Sequence, residues 1–118
     1  MDLGISGKTA IVCGSSRGLG RACAQSLARA GCTVIVNGID PERLAATAID
    51  IRKETGAEII EVAGDVTTNL GQNALFEKCN APDILITNAG GPPFKDFREL
   101  EREAMLNGVT WNMITPIE

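Results

Sequence analysis

The sequence predicts an α/β fold in which a parallel sheet is covered by helices on both faces. Three observations carry that prediction. Short apolar runs alternate with helix-period segments along the whole chain. The runs TAIVC, TVIVN, EIIEV and DILIT are rich in branched residues, as buried strands are. The links between runs are short, so right-handed crossovers give a doubly wound arrangement with strand order 3-2-1-4.

The elements follow in order. TAIVC (9–13) is a first strand, bounded by Gly7 and Gly14. From Leu19 to Ala30 the apolar positions Leu19, Ala22, Cys23, Leu27 and Ala30 keep helical spacing, and Gly31 stops the helix. TVIVN (33–37) is a second strand. Asp40 is placed to cap the next helix, and Pro41 occupies its first turn, where a missing N–H costs nothing. Leu44, Ala45, Ala48, Ile49 and Arg52 carry that helix to about Thr55, ahead of Gly56. EIIEV (58–62) is a third strand, a short helix covers Leu70 to Cys79, and DILIT (83–87) is a fourth strand. A helical pattern returns from Glu99, with Gly108 inside it and Pro116 close to the last residue.

Composition bounds the chemistry. A chain of 118 residues suits one domain over 1–118, which buries about two-thirds of its unfolded surface. The net charge of −4, with no Lys/Arg cluster, argues against a nucleic-acid partner. There is no His and no Tyr, so an imidazole base, a tyrosine acid and a His metal ligand are excluded from these residues, and no metal site is expected. Cys13, Cys23, Cys32 and Cys79 show no CxxC spacing and read as reduced thiols of a cytoplasmic protein. No run reaches membrane-spanning length, and the first residues do not read as a signal peptide, so no membrane partner is expected.

The stretch CGSSRGLG (13–20) joins the first strand to the first helix. A phosphate binds well where free N–H groups point out of a helix start, and the backbone must come close to it. That accounts for Gly14, Gly18 and Gly20. Ser15 and Ser16 can add hydroxyl donors, and Arg17 adds a charge suited to phosphate. The spacing is GxxxGxG rather than GxGxxG. Within a strand–turn–helix–strand unit it reads as a nucleotide site, against the alternative of a turn that needs glycine only for its dihedrals. The second strand ends in Asn37-Gly38-Ile39, with no carboxylate to hold a ribose 2′-hydroxyl, and Arg17 can reach the same region. The cofactor read from these residues is NADP rather than NAD, with Asp40 taken as a helix cap.

CGSSRGLG after the first strand, GDV (64–66) after the third and TNAGG (87–91) after the fourth together resemble the short-chain dehydrogenase/reductase family, nearest its 3-oxoacyl-acyl-carrier-protein reductase branch. The resemblance covers the whole chain and implies a Rossmann-like fold. It implies that Gly14, Ser16, Arg17, Gly18, Leu19 and Gly20 wrap the pyrophosphate and ribose. Gly38 and Ile39 would lie near the adenosine 2′-phosphate, where NADP-preferring members often carry Arg. Asp65 and Val66 would face the adenine. Asn88, Ala89 and Gly90 would steady the sheet and line the cofactor's ribose. Cys13 and Thr87 depart from the family's usual Thr and Asn.

The family's reaction is reversible hydride transfer between NADP and a carbonyl or alcohol, with Tyr as acid/base, Lys beside it, Ser orienting the substrate and Asn completing a proton relay. Asn112 matches that Asn and is the one catalytic candidate. The Ser, Tyr and Lys have no counterpart, so the chain reads as the cofactor-binding half of a reductase, inactive by itself. The alternatives are a non-catalytic NADP-binding module and an inactive fragment. PPFKDF (92–97) is the one candidate substrate-side loop. The fourth strand is expected at a sheet edge, and the chain is expected to form a homo-oligomer or to pair with the missing C-terminal half.

Overall fold

A computed structural model describes residues 2–89 and 95–118. Four parallel strands, β1 (Thr9–Val12), β2 (Thr33–Gly38), β3 (Ile59–Ala63) and β4 (Ile84–Ile86), form one sheet in the order β3-β2-β1-β4. That is the predicted order. Helices α1 (Gly18–Arg29), α2 (Pro41–Thr55) and α3 (Asn69–Lys78) fill the crossovers.

The central strands are apolar because both their faces are covered. Val12, Val34 and Val36 pack on one face against Ala24 and Ala28 of α1 and Leu44, Ala48 and Ile51 of α2. Ile11, Cys13, Ile35 and Val62 pack on the other against Leu75 of α3. Each large aliphatic side chain so buried contributes about 1.5–3 kcal/mol. The register Val12↔Val36 and Ile11↔Leu85 holds the carboxyl ends of β1, β2 and β4 level, and the functional loops emerge there.

Helix α2 has the ends its sequence announces. Asp40 Oδ1 accepts the N–H groups of Glu42 and Arg43 at 3.0 and 3.4 Å, Pro41 sits in the first turn, and Gly56 closes the last turn onto Arg52 O. β3 runs one residue later than EIIEV, because its pairing with β2 extends to Gly38↔Ala63. α3 starts at Asn69, capped by the Thr68 hydroxyl, which accepts from Gly71 N–H at 3.1 Å.

The last segment differs most from expectation. The helical turn at Phe97–Glu99 is 3-10, and Leu100 is extended, so α4 begins only at Arg102. It runs to Val109 without breaking at Gly108, passes through a π-helical turn at Thr110–Ile114 and ends in a short helical turn, Thr115–Ile117. No described helix is long and apolar enough to cross a membrane.

Candidate functional site

The turn after β1 is built around a close approach. Gly14 has φ +56°, and a Cβ there would lie 3.0 Å from Asn88 Nδ2. Gly20 is buried behind it, and a Cβ on Gly20 would fall 2.2 Å from Gly14 O. No side chain larger than hydrogen fits between turn and helix. Arg17 occupies the N-cap of α1 in extended conformation and makes no side-chain cap bond. The first N–H groups of α1 are therefore open to an outside acceptor, which suits a phosphate.

Three polar side chains hold this turn against the sheet. Asn37, buried at the end of β2, accepts from Gly14 N–H at 3.1 Å and donates to Val62 O and Gly64 O, both at 3.1 Å. It thereby joins the ends of three strands. Asn88 donates to Gly14 O at 3.1 Å and ties in the end of β4. Thr47 of α2 donates to Ser16 O at 2.7 Å.

A groove of about 590 Å³ opens over these strand ends. Of the predicted residues, Gly14, Ser16, Arg17, Gly18 and Leu19 border it on one side. Gly38 and Ile39 border it at the end of β2, Asp65 and Val66 after β3, and Asn88 and Ala89 after β4. Leu19 and Ile39 are 83% and 73% exposed, apolar surfaces that a flat ring could cover. Asp65 Oδ1 accepts from both the backbone N–H and the hydroxyl of Thr67, at 2.9 and 2.7 Å, so it shapes its own loop while bordering the groove.

Ser15 is a correction. Its hydroxyl was expected to donate to phosphate, but the residue is fully buried. The hydroxyl donates to Val12 O at 2.8 Å and accepts from Asn37 N–H at 2.9 Å. Ser15 stitches β1 to β2 and does not face the groove. Asn112 lies on the exposed π-helical turn, where its Nδ2 donates to Gly108 O at 3.0 Å, and its neighbour Trp111 is the residue of that segment that borders the groove. Gly90 and residues 92–94 of the PPFKDF loop lie outside the described residues.

Sequence reasoning missed three contributors. The sequence shows Asn37 as a strand end without a carboxylate, and the signal of its role is an amide closing an otherwise apolar strand. Thr47 and Arg43 gave no signal, because their place depends on how α2 is rotated against the sheet. Cys13 is adjacent and buried: burial pushes its thiol above the usual range, against a smaller opposing effect of the Asn88 backbone N–H.

The comparisons with known proteins agree with this geometry. The family model described as short chain dehydrogenase matches residues 8–118. The chain is 44% identical over 92 residues to the uncharacterized oxidoreductase YvaG of Bacillus subtilis, covering 76% of this chain and 34% of that protein. It is 38% identical over 94 residues to the 3-oxoacyl-[acyl-carrier-protein] reductase FabG of Aquifex aeolicus, covering 76% and 38%. The structure of L-sorbose reductase from Gluconobacter frateurii, complexed with NADPH and L-sorbose, matches with a TM-score of 0.89 at 31% identity, covering 99% of this chain and 46% of that one. The chain thus spans between a third and a half of the length of these relatives.

Proposed function

The chain belongs to the short-chain dehydrogenase family, and on that premise we propose that it is the cofactor-binding half of an NADP-dependent oxidoreductase acting on a carbonyl or the corresponding alcohol. The observation that carries the proposal is the cradle at the start of α1. Gly14 and Gly20 leave room for backbone approach only, and the helix start above them is uncapped by any side chain.

In this reading Gly14, Ser16, Gly18 and Leu19 hold the pyrophosphate and its ribose, with Gly20 behind them making the approach possible. Asp65 and Val66 flank the adenine, and Asn88 and Ala89 line the second ribose. Bound NADP would supply the two-electron chemistry. Asn112 is the chain's contribution to proton transfer. The 118 residues contain no Tyr, so the Tyr acid, with its Ser and Lys, comes in this reading from sequence outside them. The similarity to a 3-oxoacyl reductase supports a 3-oxoacyl thioester as one candidate substrate. NADPH in the similar L-sorbose reductase supports NADP over NAD.

The test is a titration of the purified protein with NADPH and with NADH, followed by quenching of Trp111, the chain's single tryptophan. Saturable NADPH binding tighter than NADH binding is expected. Equal affinities would remove the NADP preference and leave the dinucleotide site. A folded protein that binds neither would overturn the proposal. The 118 residues alone are expected to oxidise no NADPH in the presence of a carbonyl, and measurable turnover by them would sink that part of the reading.

A further inference from the structure

The first turn of α3 contains a poor helix former, Gly71, and buries it. The space beside it gives the reason. A Cβ on Gly71 would fall on the carbonyl oxygen of Asp65 and 2.5 Å from its carbonyl carbon. Both are backbone atoms, so no side-chain rotation relieves the overlap. Leu75, one helical turn further on the same face, is buried in the cluster of Ile11, Ile35 and Val62 and sets how near α3 lies to the sheet. With α3 held there, only hydrogen fits at position 71.

The loop that Gly71 meets is tied to the same turn of helix. Asp65 O accepts the N–H of Thr68 at 3.0 Å and its hydroxyl at 2.7 Å. The Thr68 hydroxyl also accepts Gly71 N–H at 3.1 Å, and Gln72 Nε2 donates to Val66 O at 3.0 Å. Thr67 holds Asp65 Oδ1 through two hydrogen bonds, whereas Asp65 Oδ2 has no such partner among the described residues. Asp65 and Val66 border the groove; Gly71 does not.

We infer that Gly71 is a positioning residue of the groove: its missing side chain lets α3 close onto the Asp65 peptide, and that contact holds the Asp65 carboxylate where it meets the base of the nucleotide. The inference rests on the cofactor reading above, in which Asp65 flanks the adenine, and extends it to a residue of α3 that touches no ligand. A side chain at position 71 would push the Asp65 peptide toward the groove and turn its carboxylate out of place. A carboxylate reads a base by direction, because it accepts a hydrogen bond from the exocyclic amino group of adenine and repels a carbonyl oxygen in the same position.

Calorimetric titration with NADPH and with its hypoxanthine analogue tests the inference, since hypoxanthine presents a carbonyl oxygen where adenine presents the amino group. The wild-type protein is expected to prefer NADPH by about ten- to hundredfold, the range of a hydrogen bond to a charged group. Gly71→Ala is expected to lose about tenfold of that preference while still binding both ligands. Thr68→Ala loosens the same turn without adding volume and is expected to lose part of the preference; it decides the matter if Gly71→Ala does not fold. A Gly71→Ala protein with a lower urea midpoint and the full preference for adenine would make Gly71 a packing residue only and overturn the inference, as would a Thr68→Ala protein with the full preference. If the wild type binds NADPH and the analogue equally, Asp65 does not read the base and the inference falls while the dinucleotide site stands. If the wild type binds neither, the cofactor reading falls with it.

Discussion

At the scale of single residues, the site depends on backbone groups held by buried polar side chains. Asn37 is the central case. Its amide satisfies Gly14 N–H, Val62 O and Gly64 O at once. Asn37→Leu keeps similar volume and leaves those three groups unpaired. Gly14 and Gly64 border the groove and can take water instead, so the cost is smaller than three full penalties. A loss of about 2–4 kcal/mol is expected, read from the urea midpoint, together with weakened NADPH binding. Asn37→Asp separates two causes. It keeps an acceptor for Gly14 N–H but sets a negative charge against two carbonyl oxygens, so it should be no better tolerated. If either variant matched the wild type in stability and binding, Asn37 would not be what holds the turn. The glycine turn was legible in the sequence because its reason is local: strand, turn and helix are contiguous. The roles of Asn37, Ser15 and Thr47 were not. Partners that define those roles lie 22 to 31 residues away and meet them only when parallel strands and α2 come into register.

At the scale of elements, α1 and α2 must stay aligned, because Gly14–Gly20 enters one and Arg43 and Thr47 belong to the other. Beyond their shared core, they are clamped on the outside. Arg21 pairs with Asp50 at 3.1 Å, and Gln25 and Arg29 both donate to Glu54. Residues 21, 25 and 29 are spaced by four and so share one face of α1. The hydrogen bond from Arg29 holds the Glu54 carboxyl below its ordinary value near 4.5, with Gln25 adding to the effect. A carboxyl whose folded pKa is depressed stabilises the fold above its unfolded pKa and loses that contribution as the pH falls through the folded one. Glu54→Gln is therefore expected to lower the urea midpoint modestly at pH 7, with the difference shrinking as the pH falls below 4.5 and the wild-type carboxyl takes up its proton. A difference that stayed the same throughout the acid range would mean that packing rather than charge joins the helices there. This face was not read from the sequence, because exposed charges on two helices reveal their pairing only once both helices lie side by side. The ends of α2 were legible in full, since Asp40-Pro41 and Gly56 are local signals. The start of α4 was not, because extended Leu100 interrupts a pattern that looks helical from Glu99.

At the scale of the whole molecule, the sheet ends at β3 on one side and at β4 on the other, and neither edge is paired further among the described residues. β4 pairs with β1 along Ala10↔Ile84 to Val12↔Ile86 and stands last in the order. The register puts Leu85 on the face of Ile11 and Ile35, the face that α3 covers with Leu75. That cover does not extend to Leu85, which is 53% exposed. The segment from α4 onward is apolar and exposed too, at Met105, Leu106, Val109, Met113, Ile114 and Ile117. An unpaired strand edge beside uncovered apolar side chains is a template for association. The 118 residues produced by themselves are accordingly expected to self-associate at micromolar concentration, with sedimentation coefficients that rise with loading. Leu85→Lys places a charge on the uncovered face next to the open edge and should shift the distribution toward monomer. It should leave NADPH affinity unchanged, because Leu85 does not border the groove. A chain that stays monomeric at all concentrations would mean that the open side of the sheet is protected by something other than association. A Leu85→Lys protein that associates as strongly as the wild type would move the contact to the α4 segment, where Leu106→Glu with Val109→Glu becomes the deciding variant.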